Sequence, residues 1–143
     1  MWLLIAALPS VFGQSPVKWS FASKKIDNKT YELRLTAEVS GSWHLYSQFT
    51  PPGGPVPTQI SFNSNPMVTI DGEAKEDGNL QERFEEVFGI KVKFFNEKVS
   101  FIQQVKLKNN IKTAVTGKLE FMVCNDRECL PPTTVPFSIA LTK

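Results

Sequence analysis

Apolar residues recur at every second position in several separate runs of this chain, the period of strands that bury one face. Tyr31, Leu33, Leu35, Ala37 and Val39 make the cleanest run, and Val17, Trp19 and Phe21 precede it across a turn at Asp27-Asn28-Lys29. The last third alternates three more times, through Val99, Phe101, Gln103, Val105 and Leu107, then Val115, Gly117, Leu119, Phe121 and Val123, then Val135, Phe137, Ile139 and Leu141. Shorter apolar pieces at Ile60 to Phe62, Val68 to Ile70 and Lys91 to Phe95 add further strands, set apart by turn-rich stretches such as Asn63-Ser64-Asn65-Pro66 and Asp71-Gly72. Long helical periodicity is absent. Roughly seven to nine short strands with turns between them predict an all-β domain, an immunoglobulin-like antiparallel β-sandwich rather than an α/β enzyme.

Three segments break the alternation. Thr50-Pro51-Pro52-Gly53-Gly54-Pro55-Val56-Pro57 is expected to be an extended surface connection, since its prolines lack amide donors and its glycines favour turns. The stretch from Asp77 to Gly89 sets Glu82, Glu85 and Glu86 among Phe84 and Phe88, and predicts a short amphipathic helix with the two phenylalanines at i and i+4 against the core. Residues 1–13 form an apolar run too short to span a bilayer and ending in small residues, which reads as a secretory signal cleaved before Gln14. Pro9 and the helix-favouring Leu-Leu-Ile-Ala-Ala run argue against a buried first strand there. Residues 14–143 are then a single exported domain, soluble in an extracytoplasmic space.

The composition narrows the function by exclusion. At 143 residues, 41% hydrophobic and 11% aromatic, the chain can build a core without metal or disulfide staples. Its 16 basic and 14 acidic residues are spread evenly to a net +2, which argues against nucleic acid or a membrane surface as partner. Lys106 and Lys108 alternate with Val105 and Leu107 as the solvent face of a strand would. There is no Ser-His-Asp order and no glycine-rich phosphate loop. Two cysteines and one histidine do not make a tetrahedral zinc site, so no metal and no cofactor is expected. Asn28-Lys29-Thr30 matches a glycosylation sequon, a match that chance readily supplies.

What remains is Cys124 and Cys129, a pair that export would place in a disulfide. Closing a loop of six residues stabilises a fold by only about 2 kcal/mol on the chain-entropy argument. Spacing therefore leaves two uses open, a local clip and a bond that cycles between states. Asn125-Asp126-Arg127-Glu128 is wholly polar and Pro131-Pro132 follows, so the cysteines are expected on an exposed, stiffened turn at the end of a strand. Arg127 favours a thiolate there, while Asp126 and Glu128 oppose it.

The stretch from Phe121 to Pro132, Phe-Met-Val-Cys-Asn-Asp-Arg-Glu-Cys-Leu-Pro-Pro, resembles the cysteine hairpin of the amino-terminal periplasmic domain of the thiol:disulfide interchange protein DsbD family, in which two nearby cysteines precede a Pro-Pro pair. The likeness extends over nearly all of the mature chain. Trp43-His44-Leu45-Tyr46 resembles the family's aromatic segment beside the active site, and Glu85-Glu86-Val87-Phe88-Gly89 its acidic-aromatic cap loop. The resemblance implies an immunoglobulin-like sandwich in the periplasm. It also implies that Cys124 and Cys129 are a redox pair, with Cys129 the attacking thiol. Electrons would come from a thioredoxin-like donor and pass to oxidised periplasmic proteins. It assigns the capping ring to Phe88, with Phe84 as second choice, because Val87 stands where the family commonly has an aromatic residue. Glu85 and Glu86 would shuttle a proton or tune the thiol, unless they are plain solvated carboxylates. His44 and Tyr46 share a face if their segment is extended, and by resemblance that face borders the cysteines. Family members often continue into a membrane-embedded domain. Since this chain stops after its final strand, its donor is expected on another chain, such as a separate membrane transporter. The competing expectation is a non-enzymatic immunoglobulin-like interaction domain, with the disulfide as a clip and Phe84, Phe88 and the proline-rich loop as its contact surface.

Overall fold

The computed structural model describes residues 15–109 and 111–141, and the predicted signal at residues 1–13 lies outside them. The alternating runs become strands: β1 (Val17–Lys25), β2 (Thr30–Val39), β3 (His44–Tyr46), β4 (Gln59–Phe62), β5 (Val68–Glu85), β6 (Ile90–Leu107), β7 (Thr113–Phe121), β8 (Val123–Cys124) and β9 (Thr133–Leu141). All of their pairings are antiparallel. One six-stranded sheet runs β1-β2-β6-β3-β8, with β5 on the other edge of β6, and a three-stranded sheet runs β4-β7-β9. The predicted immunoglobulin-like sandwich is the observed architecture.

The core lies between the sheets, where the odd-numbered positions of β2, β6, β7 and β9 meet. Tyr31, Leu33, Leu35, Phe101, Val105 and Leu119 are fully buried there, each stabilising the fold by about 1.5–3 kcal/mol over leaving it in water. Trp19 of β1 closes this core against Phe101 and Phe121, at ring separations of 6.0 and 5.4 Å. The turn at Asp27 forms as expected: its carboxylate accepts from the amides of Lys29 and Thr30, at 2.9 and 2.8 Å. The Lys29 amide first, then the Thr30 donors, hold that carboxyl below its ordinary range.

One feature differs from the strand-by-strand reading. The segment predicted as a helix, Asp77 to Gly89, continues β5 through Glu85 and turns back at Gly89 into β6. The two strands, each of 18 residues, form a long hairpin arm. Strand pairing wins because Lys91 to Phe95 supplies a partner edge: Phe84 lies opposite Lys91, and Glu82 pairs with Lys91 and Lys93 across the arm. A helix would have needed an apolar surface to cover both phenylalanines. Polar Gln103 holds the core position that the alternation gave it, only 2% exposed. Its Nε2 donates to the carbonyls of Asp71, Gly72 and Gln104, so it ties down the bulge where the β5–β6 register shifts between Asp71 and Lys75.

β7 and β4 approach so closely at Gly117 that a Cβ there would overlap the Ser61 carbonyl oxygen and lie 2.8 Å from Phe137 Cζ. Gly117→Ala is therefore expected to destabilise the domain by about 1–3 kcal/mol as β4 is pushed away. A urea unfolding series checks this, and an unchanged midpoint would contradict it.

Candidate functional site

The site arises where the chain changes sheets. β7 stays in the three-stranded sheet to Phe121, opposite Thr133, and two residues later β8 joins the larger sheet, with Val123 opposite Leu45. Met122 is the crossing point, and its sulfur accepts from the Val56 amide of the proline-rich loop at 3.4 Å. The crossing sets Cys124 directly opposite His44. From Cys124 a tight turn returns to Cys129, closed by the Asn125 amide donating to the Glu128 carbonyl at 2.8 Å and by the Asn125 side chain accepting from the amides of Arg127 and Glu128. The turn pairs Cys124 with Cys129 and a disulfide joins them, with Cα atoms 4.0 Å apart.

The two half-cystines differ in access. Cys124 is 4% exposed and packs with Tyr46, Val92 and Phe94 in a small second hydrophobic cluster, flanked by Ile90 and Met122. Cys129 is exposed. Both line a cleft of about 440 Å³ walled also by His44, Tyr46, Arg83, Glu85, Val87 and Phe88 and by the turn from Asn125 to Glu128. The pair therefore presents one exposed and one buried residue to the same cleft.

A stack of side chains supports the cleft. Phe94 lies 4.5 Å from the His44 ring and 6.4 Å from Tyr46, and the Arg83 guanidinium sits over it at 5.3 Å. Arg83 bonds Oε1 of Glu85 through both Nε and Nη2, at 2.8 and 2.7 Å. His44 Nδ1 hydrogen-bonds Asn96 Oδ1, which fixes the ring against the arm. Asn96 adjoins Glu97, whose left-handed backbone (φ 67°) marks a second register shift in the arm and costs an L-residue about 1–2 kcal/mol. Burial first, then the Glu85 carboxylate, push the Tyr46 hydroxyl up to about 12, with Arg83 opposing.

Of the residues singled out from sequence, Cys124, Cys129, His44, Tyr46, Glu85 and Phe88 meet at this cleft. His44 and Tyr46 do share a face, because β3 is extended. Phe84 does not join them: it alternates to the opposite face of the arm from Arg83 and Glu85 and is 61% exposed. Glu86 sits exposed in the turn, outside the cleft. Phe88 is half-buried, packed where Gly54 of the proline-rich loop has no side chain; a Cβ there would lie 3.3 Å from Phe88 Cγ. Val87, at 88% exposure, forms the rim. Arg83, Phe94 and Asn96 were not anticipated. The parity of Arg83 with Glu85 would have found it, had the segment been read as a strand. Among the described residues no cluster of three or more His, Cys, Asp or Glu side chains is placed to hold a metal ion, and no helix is long and apolar enough to cross a membrane.

A β-sandwich that presents one accessible half-cystine beside a charged and aromatic cleft defines the class of immunoglobulin-like thiol–disulfide domains. The chain belongs to the family described as thiol:disulfide interchange protein DsbD, N-terminal, which matches residues 14–140. No curated protein matches it. Among solved structures it resembles the N-terminal periplasmic domain of ScsB from Proteus mirabilis, with a TM-score of 0.60 and 14% identity over 89% of this chain and 46% of that one. It thus spans less than half of that ScsB chain. It also resembles the reduced DsbD N-terminal domain of Neisseria meningitidis, with a TM-score of 0.58 and 13% identity over 96% of this chain and 92% of that one. A complex of the DsbD and PilB N-terminal domains from the same organism follows, at a TM-score of 0.53 and 12% identity over 93% and 87% of the two chains. At these identities the likenesses establish the fold, and the family with the Cys124–Cys129 disulfide fits thiol–disulfide interchange.

The raised Tyr46 hydroxyl has a stability consequence. Its folded value lies above the ordinary 10, so the unfolded chain releases the proton first and the contribution, full below pH 10, is lost as pH rises toward 12. Tyr46→Phe is expected to lose less stability than the parent between pH 10 and 12, measured by urea unfolding at each pH. Parallel losses would refute the assignment.

Proposed function

We propose that this chain is a periplasmic thiol–disulfide interchange domain that takes electrons from a thioredoxin-like donor and passes them to oxidised periplasmic proteins through a reversible Cys124–Cys129 bond. The observation that carries this reading is the asymmetry of the cystine at the cleft, with Cys129 an exposed residue and Cys124 a largely buried one. A clip has no need of such a cleft. A donor thiolate attacks the Cys129 sulfur, the bond to Cys124 breaks, and Cys124 leaves as a thiolate that takes a proton. A second donor thiolate then resolves the mixed disulfide, so that two electrons and two protons have moved to this domain. Delivery to an acceptor runs in reverse, with Cys129 attacking. His44 and Tyr46 border the pair, Phe88 is the capping ring on the arm side of the cleft, and Glu85 is the stronger of the two acidic candidates, since Glu86 does not line the cleft. The interchange family and the periplasmic origin of the ScsB domain support the location and the chemistry. The DsbD–PilB complex supports a protein partner.

The test is the equilibrium reduction potential of the disulfide in a glutathione or dithiothreitol series, read by thiol alkylation. A value above about −270 mV is expected of a carrier, and one below about −300 mV would mark a structural clip and return the domain to the interaction-module reading. The Cys124→Ala variant, which leaves Cys129 free, is expected to accumulate mixed disulfides with its partners.

A further inference from the structure

We propose that Arg83, through its pairing with Glu85 on the wall of the cleft, sets how readily Cys129 exists as a thiolate once the disulfide is reduced. This rests on the interchange reading and concerns a residue outside the cysteine hairpin altogether. The ionisable groups that face the cleft are His44 and Tyr46 from β3, Arg83 and Glu85 from β5, and Asp126, Arg127 and Glu128 from the turn. Three carboxylates stand against two guanidinium groups, an excess of one negative charge before any thiolate forms. Reduction by a dithiol adds two electrons and two protons to the cystine, and loss of one proton from Cys129 adds a further negative charge to this surface. The cost of that charge depends on which cations are held in place.

Arg83 is the held one. Its guanidinium is fixed by two bonds to Glu85 Oε1 and by the Phe94 face beneath it, and Phe94 in turn packs on His44, opposite Cys124. Both arginines are exposed, but Arg127, in the turn between Asp126 and Glu128, makes no ion pair among the described residues. Removing Arg83 leaves Glu85 uncompensated on the wall of the cleft that Cys129 shares, whereas removing the Glu85 charge leaves Arg83 unopposed. The two substitutions should therefore act in opposite directions. A purely structural role in holding the arm predicts the same direction for both.

The experiment measures the alkylation rate of Cys129 against pH in the Cys124→Ala background, so that one sulfur reports, in the full chain reduced with a phosphine. Arg83→Ala is expected to slow alkylation at pH 7 roughly three- to tenfold and move the pH midpoint upward, while Glu85→Gln speeds it by a similar factor and moves the midpoint downward. Arg83→Lys should retain most of the parent rate, and the differences should shrink in high salt. Shifts of the same sign for Arg83→Ala and Glu85→Gln, or a profile unmoved by Arg83→Ala, would overturn the proposal. Because these profiles start from chemically reduced protein, they decide the role of Arg83 whatever the potential of the disulfide, and that potential alone decides the interchange reading.

Discussion

The strand from Ile90 to Leu107 is paired along both edges, and the rest of the molecule is arranged by that pairing. On one edge it carries β5 for almost its whole length; on the other it carries β2 along its C-terminal half and β3 near Phe94 and Phe95. A strand hydrogen-bonded on both sides cannot slip without breaking both ladders, and a slip of one residue would turn Phe101 and Val105 out of the core. The same strand serves two hydrophobic clusters. Phe95, Val99, Phe101 and Val105 fill the main sandwich, while Val92 and Phe94, on the other face of the arm, build the floor under Cys124. The redox candidate is thus anchored to the element that is hardest to displace.

The cysteine hairpin itself is held by few interactions of its own. Two residues of β8 and a turn closed by Asn125 would be marginal alone. Their position is set by the change of sheet at Met122, by β3 alongside, and by the cluster into which Cys124 packs. Such a construction gives a buried sulfur and an exposed one within a six-residue loop. A rigid inner half and an accessible outer half suit exchange chemistry, in which one sulfur meets the partner and the other departs. The proline-rich loop adds a second support, because Val56 reaches Met122 and Gly54 makes room for Phe88.

The charged groups lie on the outer side of this frame, where they can be changed without disturbing the core. Arg83 and Glu85 occupy one face of the arm, with Phe84 on the other. Alternation along a strand therefore separates a polar wall that faces the sulfurs from an exposed phenylalanine that does not. The exposed Val87 at the tip stands on the rim of the cleft.

Much of this was legible in the sequence. Period-two alternation through β2, β6, β7 and β9 specified the strands and their buried faces, because burial on one side of a pleated ribbon leaves its mark at every second residue. The two cysteines, and the motif around them, specified the kind of chemistry. Sequence did not determine the arm: Phe84 and Phe88 satisfy a helical spacing as well as they sit in a strand and its turn, and only the partner edge from Lys91 to Phe95 decides between them. Nor could it show that Met122 changes sheets, since alternation continues unbroken from Phe121 to Val123. That crossing, a matter of which edge has hydrogen-bonding groups to spare, sets Cys124 beside His44, buries it, and leaves Cys129 to face solvent.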